Sequence, residues 1–125
     1  MPKVSRDSAT QGGDFGPVVD RSDELEGYSV NFTSFAEDID ATPLLKGLPD
    51  DRCQCPHWGY VFAGQLTVRY ADHVEILEPG DAYYMSPGHV PAATAGSEFV
   101  MFSPTAELRI SEEHMAAAMQ ALQSQ

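Results

Sequence analysis

The fold class is decided by the stretch Pro79-Gly-Asp-Ala-Tyr-Tyr-Met-Ser-Pro-Gly-His89. Residues 78–81 give a strong turn signal, because Pro, Gly and Asp each favour a turn for a separate steric or hydrogen-bonding reason. Residues 82–85 are apolar enough for a short strand, and the Ser-Pro-Gly of residues 86–88 ends it. The stretch therefore predicts one short strand held between two tight turns.

Short strands of the same kind precede and follow this stretch. Residues 28–35 alternate between apolar and polar side chains, which is the period of a half-buried strand. Further short strands are predicted at residues 58–63, 66–70, 74–77 and 98–102. Strands at this spacing, with Gly and Pro between them, indicate an all-β sandwich or barrel.

Both ends of the chain differ from this barrel. Residues 1–27 are polar, carry several glycines and lack sustained periodicity, so we predict a flexible N-terminal arm. Within this arm, Pro17-Val18-Val19 could dock as a short strand on an exposed sheet edge. We predict the barrel over residues 28–110 and one short amphipathic helix over residues 111–125, with Ser111 as its N-cap.

The composition is that of one small, acidic globular domain. The chain has 125 residues, with 19 Asp and Glu against 7 Lys and Arg, which gives a formal net charge of −12. Phosphate backbones and anionic lipid surfaces repel such a chain, so we expect neither nucleic acid nor membrane as a partner. No stretch approaches the roughly 18 apolar residues of a membrane span, and the N-terminus lacks the apolar core of a signal peptide. We therefore expect a cytoplasmic protein.

Two stretches of the chain resemble the two sequence motifs of the cupin superfamily. They are His57-Trp-Gly-Tyr-Val-Phe-Ala-Gly64 and the stretch from Pro79 to His89, and the resemblance covers residues 53–104. It implies a double-stranded β-helix, or jelly-roll, barrel that is commonly a homodimer. It also implies, in many members, one divalent metal held by two His and one Glu of the first motif and one His of the second.

This chain departs from that ligand pattern. Counted back from the end of the first motif, the usual Glu falls on His57, the usual second His on or near Cys53, and the first near Asp51. In the second motif the usual His falls on Pro91, two residues after His89. The standard ligand set is therefore not present, and the resemblance alone does not imply a metal in this chain.

The residues themselves suggest another ligand set. In an extended chain Cys53, Cys55 and His57 share one face, because side chains alternate with period two. His89 shares a face with Pro91, so it could point where the usual His points. Two cysteines one residue apart do not form an ordinary structural disulfide, and two thiolates with two imidazoles make a soft site for zinc, iron, nickel or copper. We predict all four as metal ligands. The alternatives are that Cys53 and Cys55 are small buried side chains, that His57 is a core histidine bonded to a backbone carbonyl, and that His89 is an exposed turn histidine.

A small-molecule pocket is predicted beside these ligands. Tyr83 and Met85 share the parity of His89, and with Val61 they would line the barrel mouth, since such side chains beside one or two histidines are the usual make-up of a small-ligand site. On the opposite face of the first motif, we expect packing between sheets or a subunit interface at three aromatic residues, Trp58, Tyr60 and Phe62.

Three functional hypotheses follow from these features. The first is a cupin-like homodimer that binds a small molecule in the barrel mouth through a divalent metal, which would act as a Lewis acid or activate water or dioxygen. The second is a non-catalytic ligand-binding or sensor barrel without metal. The third is a structural role, in which side chains fill the barrel and the two ends of the chain build an oligomer. Stoichiometric metal in the purified protein distinguishes the first hypothesis from the second.

Overall fold

The computed structural model describes residues 2–123. In chain order the strands are β1 Gln11–Phe15, β2 Val18–Leu25, β3 Tyr28–Phe35, β4 Ile39–Asp40, β5 His57–Ala63, β6 Leu66–Arg69, β7 Val74–Leu77, β8 Ala82–Met85, β9 Val90–Ala93 and β10 Glu98–Pro104. The helical segments are α1 Thr42–Leu45, a 3-10 turn at Pro49–Asp51, and α2 Thr105–Gln123. Within the described range, no helix is long and apolar enough to cross a membrane.

The strands form two antiparallel sheets. The larger sheet has the order β1-β2-β3-β10-β5-β8, and the smaller sheet has the order β4-β9-β6-β7. Strands that are distant in sequence are therefore neighbours in space, as when β10 lies between β3 and β5. This is the all-β, two-sheet architecture with a C-terminal helix that the strand spacing predicts.

One hydrophobic core lies between the two sheets. Val61 on β5 of the larger sheet and Val68 on β6 of the smaller sheet have no exposed surface. The rest of the cluster also comes from both sheets: Leu66, Tyr83, Met85, Ala93 and Phe99. Burial of this apolar surface, at roughly 25 cal/mol per Å², is what holds the two layers together.

Most of the N-terminal segment forms a hairpin, β1 and β2, in the larger sheet. The composition of this segment predicts a flexible arm instead. β2 pairs with β3 along its whole length, and Leu25 lies opposite Tyr28. Glu26 and Gly27 connect the two strands with φ values of 52° and 83°, and two positive φ values in succession are the mark of a two-residue type I′ hairpin turn. Most of β2 is half-buried on both faces, so its sequence shows no apolar alternation, and the turn sets the register instead.

The C-terminal helix α2 begins at Thr105, six residues before the start predicted at Ser111. Thr105 anchors it, because its N–H donates to the Gly27 carbonyl at 3.0 Å and its hydroxyl lies 2.9 Å from Ser29 Oγ. Ser111 is therefore not an N-cap. It lies buried inside the helix, one turn after the buried Leu108.

The helices α1 and α2 close one end of the two-sheet structure. His114 Nε2 on α2 donates to the carbonyl oxygen of Lys46, directly after α1, at 2.8 Å. A second apolar cluster is buried at this end, and it consists of Leu45, Cys53, Cys55, Val90 and Leu108. The chain's only two cysteines thus lie at the closed end.

Candidate metal centre

The two sequence motifs meet through the pairing of β5 with β8, in which His57 lies opposite Met85, and through a backbone bridge between Cys53 and His89. The N–H of Cys53 donates to the His89 carbonyl at 3.0 Å, and the two residues form an isolated antiparallel pair. The Gly88 N–H in turn donates to the Cys53 carbonyl at 2.8 Å. The thiol of one motif and the imidazole of the other are therefore held side by side, and both are buried.

Cys53, His57 and His89 converge on one buried point. One ligand atom from each lies within 4.8 Å of the other two. Cys53 Sγ is 3.9 Å from His57 Nε2, and the centroids of the two imidazole rings are 4.9 Å apart. A fully extended chain would separate residues 53 and 57 by about 13 Å, so the chain must bend between them; residues 54–56 belong to no strand. The structure thus brings together three of the four predicted ligands.

Hydrogen bonds to the far side of each ring orient the two imidazoles. His89 Nδ1 lies 2.7 Å from the Ser86 carbonyl oxygen, which can only accept, so the proton is on Nδ1 and the lone pair is on Nε2. His57 Nδ1 lies 2.6 Å from Ser103 Oγ, which leaves Nε2 as the nitrogen that faces Cys53. A partner on the second ring nitrogen is the usual arrangement for a metal-ligating histidine.

Burial keeps both imidazoles neutral. It lowers the pKa of His57 to about 3, and the nearby His89 adds to the effect. Burial likewise lowers the pKa of His89, against the opposing hydrogen bond to Ser86. Neutral imidazole is the form that binds a metal ion, so at neutral pH neither ring has to lose a proton first.

Cys55 does not join this group, although the period-two pattern predicts it as a ligand. Its Sγ contacts the Pro56 carbonyl at 3.5 Å and belongs to the apolar cluster at the closed end. Burial, with a smaller contribution from the neighbouring Cys53, raises the pKa of the Cys55 thiol to about 12. The bend that brings residues 53 and 57 together removes the alternation on which the prediction for Cys55 rested.

Two buried serines that no motif predicts hold the ligands in place. Ser103 has no exposed surface and contacts His57 from the inward face of β10. Ser111 Oγ lies 3.4 Å from Cys53 Sγ and comes from α2. Ser103 shares the parity of the buried Phe99 on β10, whereas Ser111 reaches the site only through the packing of a distant helix.

The geometry and chemistry of the three donors fit a zinc-type ion. Zn–S bonds of about 2.3 Å and Zn–N bonds of about 2.0–2.1 Å put tetrahedral ligand atoms roughly 3.3–3.6 Å apart. The 3.9 Å between Cys53 Sγ and His57 Nε2 is a few tenths of an ångström longer than this, and the remaining ligand atoms lie within 4.8 Å. Side-chain movements of about 1 Å or less would therefore bring all three to bonding distance. One thiolate with two imidazoles is also a donor set suited to zinc and to the softer transition metals.

The three residues predicted to line a small-molecule pocket are members of the hydrophobic core. Val61, Met85 and Tyr83 are buried members of the core between the sheets, and Tyr83 Oη donates to the Val100 carbonyl at 3.1 Å. None of the three lines either of the two cavities described, which have volumes of about 120 and 420 Å³. Parity alone does not tell whether an inward-facing position lines a cavity or packs into the core.

Comparison with known proteins establishes the fold. No family model and no curated protein matches this chain. A protein of unknown function from Rhizobium leguminosarum is similar, with a TM-score of 0.60 and 18% identity over 82% of this chain and 95% of that one. An RmlC-like cupin from Shewanella frigidimarina has a TM-score of 0.55 and 17% identity, over 83% and 92% of the two chains. An Fe(II)-HppE structure with an alternative substrate has a TM-score of 0.55 and 11% identity, over 82% and 60%. The chain therefore has the cupin fold.

Proposed function

We propose that this cupin-fold chain binds one divalent metal ion, such as zinc, iron or nickel, through Cys53 Sγ, His57 Nε2 and His89 Nε2. The observation that carries the proposal is that one ligand atom from each of the three side chains lies within 4.8 Å of the other two. The occupied Nδ1 atoms of both rings support it, since they leave each Nε2 free to bind. All three ligands belong to one chain, so each copy would hold its own ion.

The residues around the donors would define what the site can do. A bound ion of this kind supplies a Lewis acid. Ser103 and Ser86 fix the imidazoles, and the hydroxyl of Ser111 can donate to the thiolate of Cys53. The three ligand side chains are at most 5% exposed, so the closed end excludes water.

We further propose that a small-molecule ligand approaches from the end that α2 closes. Ser111 of this helix contacts Cys53 Sγ at 3.4 Å, so displacing the helix would open the site. The two free thiols suit a reducing compartment such as the cytoplasm. As the resemblance implies, we take the active form to be a homodimer.

The decisive test is elemental analysis of the purified, untagged protein, with Cys53→Ala compared against Cys55→Ala. The two variants remove the same buried atom two residues apart, but only Cys53 belongs to the converging group. We expect one ion per chain in the wild type and in Cys55→Ala, and little or none in Cys53→Ala. Equal metal content in both variants would refute the assignment. So would an absence of metal after incubation with zinc, iron and nickel.

A second candidate is a ligand-binding or sensor barrel without metal. It is favoured by one observation, which is that each donor side chain already has a hydrogen-bonding partner in the chain: Ser111 for Cys53, Ser103 for His57 and Ser86 for His89. The cluster is then a satisfied buried polar network. In that case chelators leave the melting temperature unchanged, and only an organic ligand raises it.

A further inference from the structure

A small, mostly polar cavity lies between the hairpin of β2 and β3 and the C-terminal helix α2. It has a volume of about 120 Å³, and its walls include Ser29 and Asn31 on the strand β3 and Arg109 and Glu112 on the helix. None of the three proposed metal ligands lines it. The cavity is therefore separate from the metal centre, and what it can bind follows from its own lining.

One wall of this cavity holds a buried hydrogen-bond acceptor without a donor. Asn31 is only 4% exposed, and its Oδ1 accepts no hydrogen bond from any group within residues 2–123. The Nδ2 of the same amide donates to both carboxylate oxygens of Asp20 at 3.1 Å. This carboxylate lies toward Thr33, its partner on β3, whereas the cavity extends toward Ser29. Because the two ends of an amide point away from each other, Oδ1 is the end that faces the cavity.

The same region carries an excess of negative charge. Partial burial and the neighbouring carboxylate of Asp20 raise the pKa of Glu112, against the opposing effect of Arg109. Burial also raises the pKa of Asp20, although hydrogen bonds from Asn31 and Thr33 oppose the change. Two carboxylates thus repel each other beside the cavity, with one exposed guanidinium to offset them. A cation in the cavity would reduce this repulsion.

We propose that this cavity binds the ammonium group of a small organic amine. An ammonium group has three N–H donors, no acceptor and one positive charge, so it supplies a donor to Asn31 Oδ1 and a counter-charge to Glu112. The hydroxyl oxygens of Ser22, Ser29 and Thr105 also line the cavity and can accept the remaining N–H groups. Water would satisfy the acceptor but not the charge. The proposal goes beyond the proposed metal function and does not rest on it.

The dimensions and lining of the cavity restrict the ligand. Liquid water takes up about 30 Å³ per molecule, so the cavity has room for about four non-hydrogen atoms. The guanidinium of Arg109 lines the same space and disfavours a divalent ion. Among the described residues, the one group of His, Cys, Asp and Glu side chains close enough to hold a metal is the proposed metal centre. A monovalent amine with about three carbon atoms fits best.

Propylammonium is the probe that tests this proposal, and propanol is its uncharged match. We expect propylammonium to shift the amide NMR signals of residues 22–31 and 105–112 of the 125-residue chain. At constant ionic strength, the dissociation constant should be about 1–10 mM. Propanol, which lacks the charge, and tetramethylammonium, which lacks the N–H donors, should each bind about 10-fold more weakly. Shifts that do not saturate with propylammonium, or equal binding of the three probes, overturn the proposal. So do shifts of the same signals by micromolar calcium.

Three substitutions of exposed residues on α2 locate the site. Glu112→Gln keeps the size of the side chain but removes its charge, and it should weaken propylammonium binding about 10-fold. Arg109→Gln removes the opposing cation and should strengthen binding about 3-fold. Glu113→Gln is the matched control, because it removes the same charge from the next residue, which does not line the cavity.

The control variant Glu113→Gln should bind propylammonium as the wild type does, and circular dichroism checks that each variant folds. Equal effects of Glu112→Gln and Glu113→Gln, or weaker binding in Arg109→Gln, overturn the proposal. Cys53→Ala should bind propylammonium with unchanged affinity, since Cys53 lies outside the cavity. This last titration separates the outcome from the fate of the metal centre.

Discussion

Replacing Gly64 with Ala tests the packing of the fold most directly. Gly64 lies in the turn after β5 and has a φ of +78°, in the left-handed region. The turn before β10 lies against it: the N–H of Gln65 donates to Ser97 Oγ at 3.1 Å, and Ser97 has no exposed surface. A Cβ on Gly64 would overlap Ser97 Oγ and Cα and lie 2.8 Å from Ser97 Cβ.

Two separate costs follow from this geometry. The left-handed backbone costs a residue with a Cβ about 1–2 kcal/mol. The overlap involves a backbone atom that cannot rotate away, and overpacking of this kind adds about 1–3 kcal/mol. We therefore expect Gly64→Ala to lower the free energy of unfolding by about 2–5 kcal/mol, which is a large share of the stability of a small domain.

Gly27→Ala is the matched control for this prediction. Gly27 has a φ of +83°, and a Cβ there would meet open space, so this variant should lose only the backbone contribution of about 1–2 kcal/mol. The assay is urea unfolding followed by circular dichroism, with all variants at one protein concentration. Equal losses of stability in the two variants would show that the turn after β5 does not pack against Ser97 as described.

Two further predictions concern the metal centre. Ser103→Ala removes the partner of His57 Nδ1 and should weaken zinc binding about 10–100-fold, measured by competition with a chromophoric chelator; an unchanged affinity would mean that Ser103 does not orient the ring. In the metal-free protein, the free energy of unfolding should fall as the pH drops from about 6.5 to about 3. In this range His57 becomes protonated in the unfolded chain but stays neutral in the folded one. His57→Gln should show a weaker dependence over that range in urea titrations at several pH values, and an identical slope would contradict the burial argument.

The strands of the two-sheet core are predictable from sequence, whereas the N-terminal hairpin is not. Val61 and Val68 sit in short alternating segments bounded by glycine and proline, so period, length and turns all indicate the same element. Most of β2 is half-buried on both faces and carries no such alternation. Its only local signal is the Glu26-Gly27 turn, and positive φ at a glutamate is uncommon enough that sequence alone does not indicate it.

The candidate site is also predictable from the sequence only in part. Parity and the two motifs place His57 and His89 near one another, because β5 pairs with β8 shortly before His89. Cys53 joins them through the bend at residues 54–56 and its backbone bridge to His89. The same parity fails for Cys55, since the chain bends before β5 begins. Nor does parity tell whether Tyr83 lines a pocket or packs into the core, because that depends on the volumes of side chains from both sheets.

The bridge between Cys53 and His89 has a consequence for folding as well as for binding. A metal ion shared by these residues would act as a reversible cross-link and close a loop of about 36 residues that contains β5, β6, β7 and β8. For a covalent cross-link of that span, the chain-entropy model gives a stabilisation of about 4 kcal/mol. The unfolded chain cannot assemble the same donors, so release of the ion and loss of the native state would be linked. The persistence of the folded chain would then follow the concentration of free metal around it.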